Sequence, residues 1–229
     1  MRSLALALAL VAAPALAQPA AQQALRADDA VLVLIDFTDG LYPIVETIEI
    51  DEMLNNAVGA AKIADTFDVP IMVVGSEGGF YGDMHPAIKS FAGPGMPFGR
   101  NTPSAFASGG LRDAVEATGR RQVVIGGITT DNCTLLTSLD LLRAGYEVFV
   151  VADISGSDSQ AAHEAALARL RDAGAVTTGW VAFGAELLPD WRTPEGEALL
   201  AIYDLHINGP RTTGYGASTN SDGSEGDSE

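Results

Sequence analysis

Apolar residues in this chain come in short unbroken runs separated by stretches in which they recur every three or four positions. AVLVLIDF (30–37) is such a run, closing on an acid, and PIMVVGSE (70–77), RQVVIGG (121–127) and YEVFVVADIS (146–155) repeat the pattern. Runs of this length with no polar alternation predict strands buried on both faces of a parallel sheet. AVTTGW (175–180) predicts the start of a fifth strand. Between the runs, Met53, Leu54, Val58, Ala61, Ile63, Ala64 and Phe67 fall at helical spacing, which predicts a helix over 51–67. The segments 109–119, 131–145 and 159–174 read the same way, the second closed by Gly145. A Gly/Pro-rich stretch from Gly78 to Phe106 predicts a long shaped loop with one short helix around Pro86–Phe91. Strands alternating with helices of this length predict right-handed βαβ units around a parallel sheet.

The ends of the chain read differently. Residues 1–17, MRSLALALALVAAPALA, hold one positive charge, an Ala/Leu run and an A-x-A site, the pattern of a cleaved secretory signal peptide. That predicts a periplasmic or secreted protein whose mature form starts near Gln18, with 18–27 as a short extension and the domain over 28–210. Residues 211–229 have almost no apolar side chains and predict a disordered acidic tail. Thirty acidic residues against 13 basic ones give a formal charge of −17, without a basic stripe; nucleic acid and anionic membranes are excluded as partners.

Ligands of open parallel sheets bind beyond the carboxyl ends of the strands. Asp36 ends the first run, Ser76 and Glu77 end the second, and Cys133 follows the third by a few residues, so polar groups distant in sequence gather on one edge. Cys133 is the only cysteine of the chain. GGITTDNC places it at a predicted helix start, where exposed N–H groups favour an anion and lower a thiol pKa. Those N–H groups can also hold a developing oxyanion. Asp131 is the expected helix N-cap, and an acid on a neighbouring strand could take the thiol proton and return it to a leaving amine.

VLVLIDF with Asp36, RNTPSAF (100–106), the GGITTDNC turn and YEVFVVADIS together resemble the isochorismatase-like family of cysteine hydrolases, from roughly Asp28 to Leu205. The resemblance implies a three-layer α/β/α fold of Rossmann-like topology with a mostly parallel sheet. It also implies an Asp–Lys–Cys triad without a cofactor, hydrolysis of a small-molecule C–N bond, a cis peptide joining Ile128 to Thr129, and assembly into a homo-oligomer. The final segment, with Trp180, Phe183, Trp191 and Tyr203, is similar to an uncharacterised-hydrolase branch and offers either a subunit face or core. One position departs from the pattern: the place of the family lysine is taken by Arg100. A guanidinium supplies charge but does not release a proton near neutral pH.

These readings make Cys133 the nucleophile, Asp36 the acid/base and Arg100 the cation. The turn at Ile128 and Thr129 becomes the oxyanion site, with Phe37, Phe80, Phe98 and Phe106 as candidate walls of an apolar pocket. Two other classes fit the same residues: a ligand-binding or scaffold protein that lost turnover with the lysine, and a thiol redox protein. Asp83-Met84-His85 has the look of a metal-ligand fragment but lies too far beyond the second strand, with only His163 and His206 as further histidines, so no metal is expected.

Overall fold

A computed structural model describes residues 24–210; the signal-peptide and acidic-tail expectations lie outside the described residues. Five parallel strands, β1 (Ala30–Ile35), β2 (Ile71–Val74), β3 (Gln122–Gly127), β4 (Glu147–Val151) and β5 (Val176–Thr178), form one sheet in the order β2-β1-β3-β4-β5. All six residues of β1 are fully buried, as its unbroken apolar run requires of a strand covered on both faces. The period of two then decides which core each side chain joins. Ala30, Leu32 and Leu34 point into the layer of α1 (Ile50–Thr66), α6 (Trp180–Leu187) and α7 (Pro194–Tyr203). Val31, Val33 and Ile35 point into the opposite layer with α3 (Gly109–Thr118), α4 (Leu135–Arg143) and α5 (Gln160–Asp172). Each buried Val, Leu or Ile contributes about 1.5–3 kcal/mol, so the sheet is fixed from both sides by the same strand.

The short helix α2 (Pro86–Lys89) sits inside the Gly/Pro-rich stretch, as its composition predicts. Trp180 and Phe183 belong to the core, whereas Trp191 is 48% exposed. The apolar candidates at this end therefore divide between packing and surface.

The strand order places the switch of direction at β1: the chain moves to β2 on one side, then crosses back to β3 on the other. A crevice opens where consecutive connections leave on opposite sides, here past Ile35 and Gly127. Gly127 has a φ of +147°, and a Cβ there would lie 2.0 Å from the Ile35 carbonyl oxygen. Only glycine lets β3 leave the sheet this close to β1, which brings the next turn under the end of β1.

Candidate active site

Asp36 follows β1 directly. Its backbone is left-handed, at φ +57°, and its N–H donates to the Val74 carbonyl at 2.8 Å. Few side chains other than glycine take this conformation, Asp and Asn most readily, and it turns the carboxylate out of the strand line into the crevice. The residue is 1% exposed.

On the other side of the switch, Ile128 and Thr129 are joined by a cis peptide bond, and Thr130–Thr134 forms one π-helical turn leading into α4. Cys133 sits in that turn, buried. Thr130 anchors it, donating its N–H to Gly156 at 2.9 Å while its hydroxyl bonds His163 Nδ1 at 2.9 Å; the Thr134 hydroxyl donates to the Gly127 carbonyl at 3.2 Å. Asp131 does not cap this turn. It lies inside the turn, two residues past the N-cap Thr129, and its Oδ1 accepts from the Ser157 hydroxyl at 2.8 Å instead.

The third group comes from the long loop. Arg100 donates through Nη2 to Asp36 Oδ2 and, at 2.8 Å, to Cys133 Sγ. Its Nη1 donates to the carbonyls of Thr102 and Pro103. The three groups named from sequence are thus brought together, with the guanidinium between carboxylate and thiol. Ser76 and Glu77 are not part of the cluster. The Ser76 hydroxyl donates to the Arg100 carbonyl at 3.4 Å, and Glu77 pairs with Lys89 at 2.7 Å.

The charges settle differently from the sequence expectation for the thiol. Burial, and then the Asp36 carboxylate, push the Cys133 thiol up to about 11, and Arg100 only partly offsets them. The helix-start argument fails because the turn is buried: loss of hydration penalises the thiolate more than the cation beside it favours it. Burial also raises Asp36 above the usual carboxylate range against the pull of Arg100. Burial works against the charge of Arg100, but Asp36 and Cys133 outweigh it and hold the guanidinium firmly protonated. The resting site therefore has a neutral thiol beside an ion pair. One oxygen of that pair, Asp36 Oδ1, is buried without a hydrogen-bond partner among the described residues.

A cleft of about 460 Å³ opens over this cluster. Ile128 and Thr129 line it beside Cys133, and so do Leu41, Ile44, Phe80 and Tyr81. Three of the expected walls are elsewhere. Phe37 is fully buried in the core on the α1 side, because the left-handed backbone at Asp36 breaks the alternation of β1 that would have sent it with Ile35 to the other layer. Phe106 is buried against Tyr146, with ring centroids 5.7 Å apart and the Arg112 guanidinium 5.1 Å from its centroid. Phe98 packs beside Gly110 outside the cleft. The reading from sequence missed Leu41, Ile44, Asn101 and Asn132. The two asparagines adjoin Arg100 and Cys133 and were within reach of a neighbour argument, whereas Leu41 and Ile44 lie on a 3₁₀ turn (Asp39–Ile44) with no periodic signal.

A family model of the isochorismatase domain matches residues 30–181. The probable hydrolase YcaC of Escherichia coli (strain K12) is 32% identical over 183 residues, covering 79% of this chain and 87% of YcaC. Two solved structures are similar over most of the described residues. YcaC from Pseudomonas aeruginosa, with hexane-2,5-diol and covalent acrylamide, has a TM-score of 0.77 at 33% identity, over 82% of this chain and 93% of that one. Escherichia coli YcaC, an octameric hydrolase of unknown specificity, has a TM-score of 0.76 at 31% identity, over 81% of this chain and 91% of its own.

Proposed function

The chain belongs to the isochorismatase family of hydrolases, and from that premise we propose that it cleaves a small amide or related C–N compound through a Cys133 thioester. The observation that carries the reading is the Arg100 bridge, one guanidinium nitrogen touching both the Asp36 carboxylate and Cys133 Sγ. Substrate entering the cleft displaces water. The thiol proton passes to the Asp36 carboxylate, with which the thiol interacts, as Sγ attacks the carbonyl carbon, with Arg100 holding the sulfur's charge. Backbone N–H groups of Thr129 and Cys133 receive the oxyanion. The C–N bond breaks as Asp36 gives its proton to the leaving nitrogen. Water then attacks the thioester, yielding its proton to Asp36 and, through it, to the departing sulfur. The Pseudomonas relative holds acrylamide covalently, and acrylamide is an uncharged amide of a size this cleft admits.

A screen of small amides with mass-spectrometric trapping tests the reading. An acyl adduct on Cys133, and loss of turnover in Cys133→Ser, are the expected results; full activity in Cys133→Ser sinks the assignment. A second reading, a ligand-binding protein without turnover, is favoured by the same ion pair if Arg100 immobilises Asp36. In that case no amide gives an adduct, and Arg100→Lys switches turnover on.

The protein is further proposed to act outside the cytoplasm, on the strength of residues 1–17, and N-terminal mass analysis of secreted material should give a chain starting near Gln18. It is also proposed to be a homo-oligomer. Leu200, Leu205 and Ile207 are each about half exposed at the C-terminal helices, and the Escherichia coli relative is octameric.

A further inference from the structure

Resting on the hydrolase reading, we propose that the cleft selects substrates whose acyl part is uncharged and shuts out carboxylates of the same size. Among the described residues lining it, two carry charge, Asp36 and Arg100, and each neutralises the other. The guanidinium presents no accessible free donor to a ligand. Nη1 is held by the carbonyls of Thr102 and Pro103 and Nη2 by Asp36 and Cys133, while Nε has no partner among the described residues but is buried away from the cleft surface. The other polar lining residues, Tyr81, Thr102, Thr129, Asn101, Asn132 and the thiol of Cys133, carry no cationic group. The remaining walls, Leu41, Ile44, Phe80 and Ile128 among them, are apolar.

A carboxylate that leaves water for this space gives up its hydration and meets no free cation, a cost that an amide or ester of the same shape avoids. The paired Asp36 offers an ammonium group just as little. Outside the cleft, the formal charge of −17 repels an anion before it arrives. The two contributions separate by salt, since at about 1 M the Debye length is only about 3 Å and the surface field is screened, whereas the desolvation cost inside the cleft remains.

Cys133 is the single cysteine of the chain, so the mass of the intact protein reports its alkylation alone. The probes are iodoacetamide and iodoacetate, alike in size and different in charge, each rate divided by that with 2-mercaptoethanol. The expected result is a corrected preference for iodoacetamide of about 10²-fold or more that survives high salt. Asp36→Asn leaves Arg100 uncompensated, and Asn101→Lys adds a free ammonium; each should cut the preference by about tenfold. No preference, or one abolished by salt, overturns the proposal. Saturation-transfer NMR on Cys133→Ser reads the same selection without the thiol: propionamide should bind and propionate should not, and equal signals overturn it. Turnover is scored separately. Charge selection without an acyl-cysteine strikes the hydrolase reading, whereas hydrolysis of a carboxylate-bearing amide as fast as its neutral isostere strikes this one.

Discussion

Cys133 rests in the protonated state. Burial pushes its thiol from an ordinary 9.0 up to about 11, so between those values the native state keeps a proton that the unfolded chain gives up. The stabilisation is complete below pH 9 and disappears as pH rises toward 11. Its ceiling is about 2–3 kcal/mol. Thermal melts from pH 8 to 11 should therefore show an alkaline fall in Tm that Cys133→Ser flattens. Asp36 and Arg100 act on the same proton. Asp36→Asn removes the acceptor and should cost about 10²–10⁴ in kcat, while a loss under tenfold would assign Asp36 to structure. Arg100→Ala leaves a buried carboxylate unpaired and should destabilise the fold by about 3–5 kcal/mol, measured by urea denaturation. The triad position was readable because an acid ending a buried run and a thiol after a Gly-Gly turn both break their local pattern. The state of the thiol was not readable, since it depends on how much water reaches the turn, a property of packing around Thr130 and Thr134.

Among the elements, the strands were the most legible, because β1 and β3 are buried on both faces and their unbroken apolar runs have no other explanation. The walls of the cleft were the least legible. Phe37 and Phe106 are aromatic residues near site residues in sequence, yet the left-handed turn at Asp36 and the 3₁₀ turn at Ala105–Ala107 send one into each core. The loop carrying Arg100 illustrates why: its register is set by a contact distant in sequence. The Ala105 N–H donates to the Thr137 hydroxyl of α4 at 2.9 Å, with both residues fully buried. Thr137→Val keeps the shape and orphans that N–H, at about 1–3 kcal/mol. It should also lower kcat by loosening Arg100 against Cys133, with the thiol pKa shifting in step. An unchanged pKa in a destabilised Thr137→Val would restrict the threonine to folding.

At the scale of the whole molecule, the apolar surface at the C-terminal helices calls for a partner, and the double change Leu200→Glu with Leu205→Glu should lower the assembled mass seen by light scattering. An unchanged mass would place any interface elsewhere. The same scale exposes what Arg100 means for handling the protein. The chain has two lysines, Lys62, bonded to His206 at 3.0 Å, and Lys89, bonded to Glu77, and neither lines the cleft. Activated esters attack free amines and leave untouched a guanidinium that stays protonated. This chain can be tethered to a surface through its amines by activated esters with the cation of its site left unmodified, whereas a vicinal dicarbonyl, which condenses with guanidinium groups, is the reagent to keep away from it.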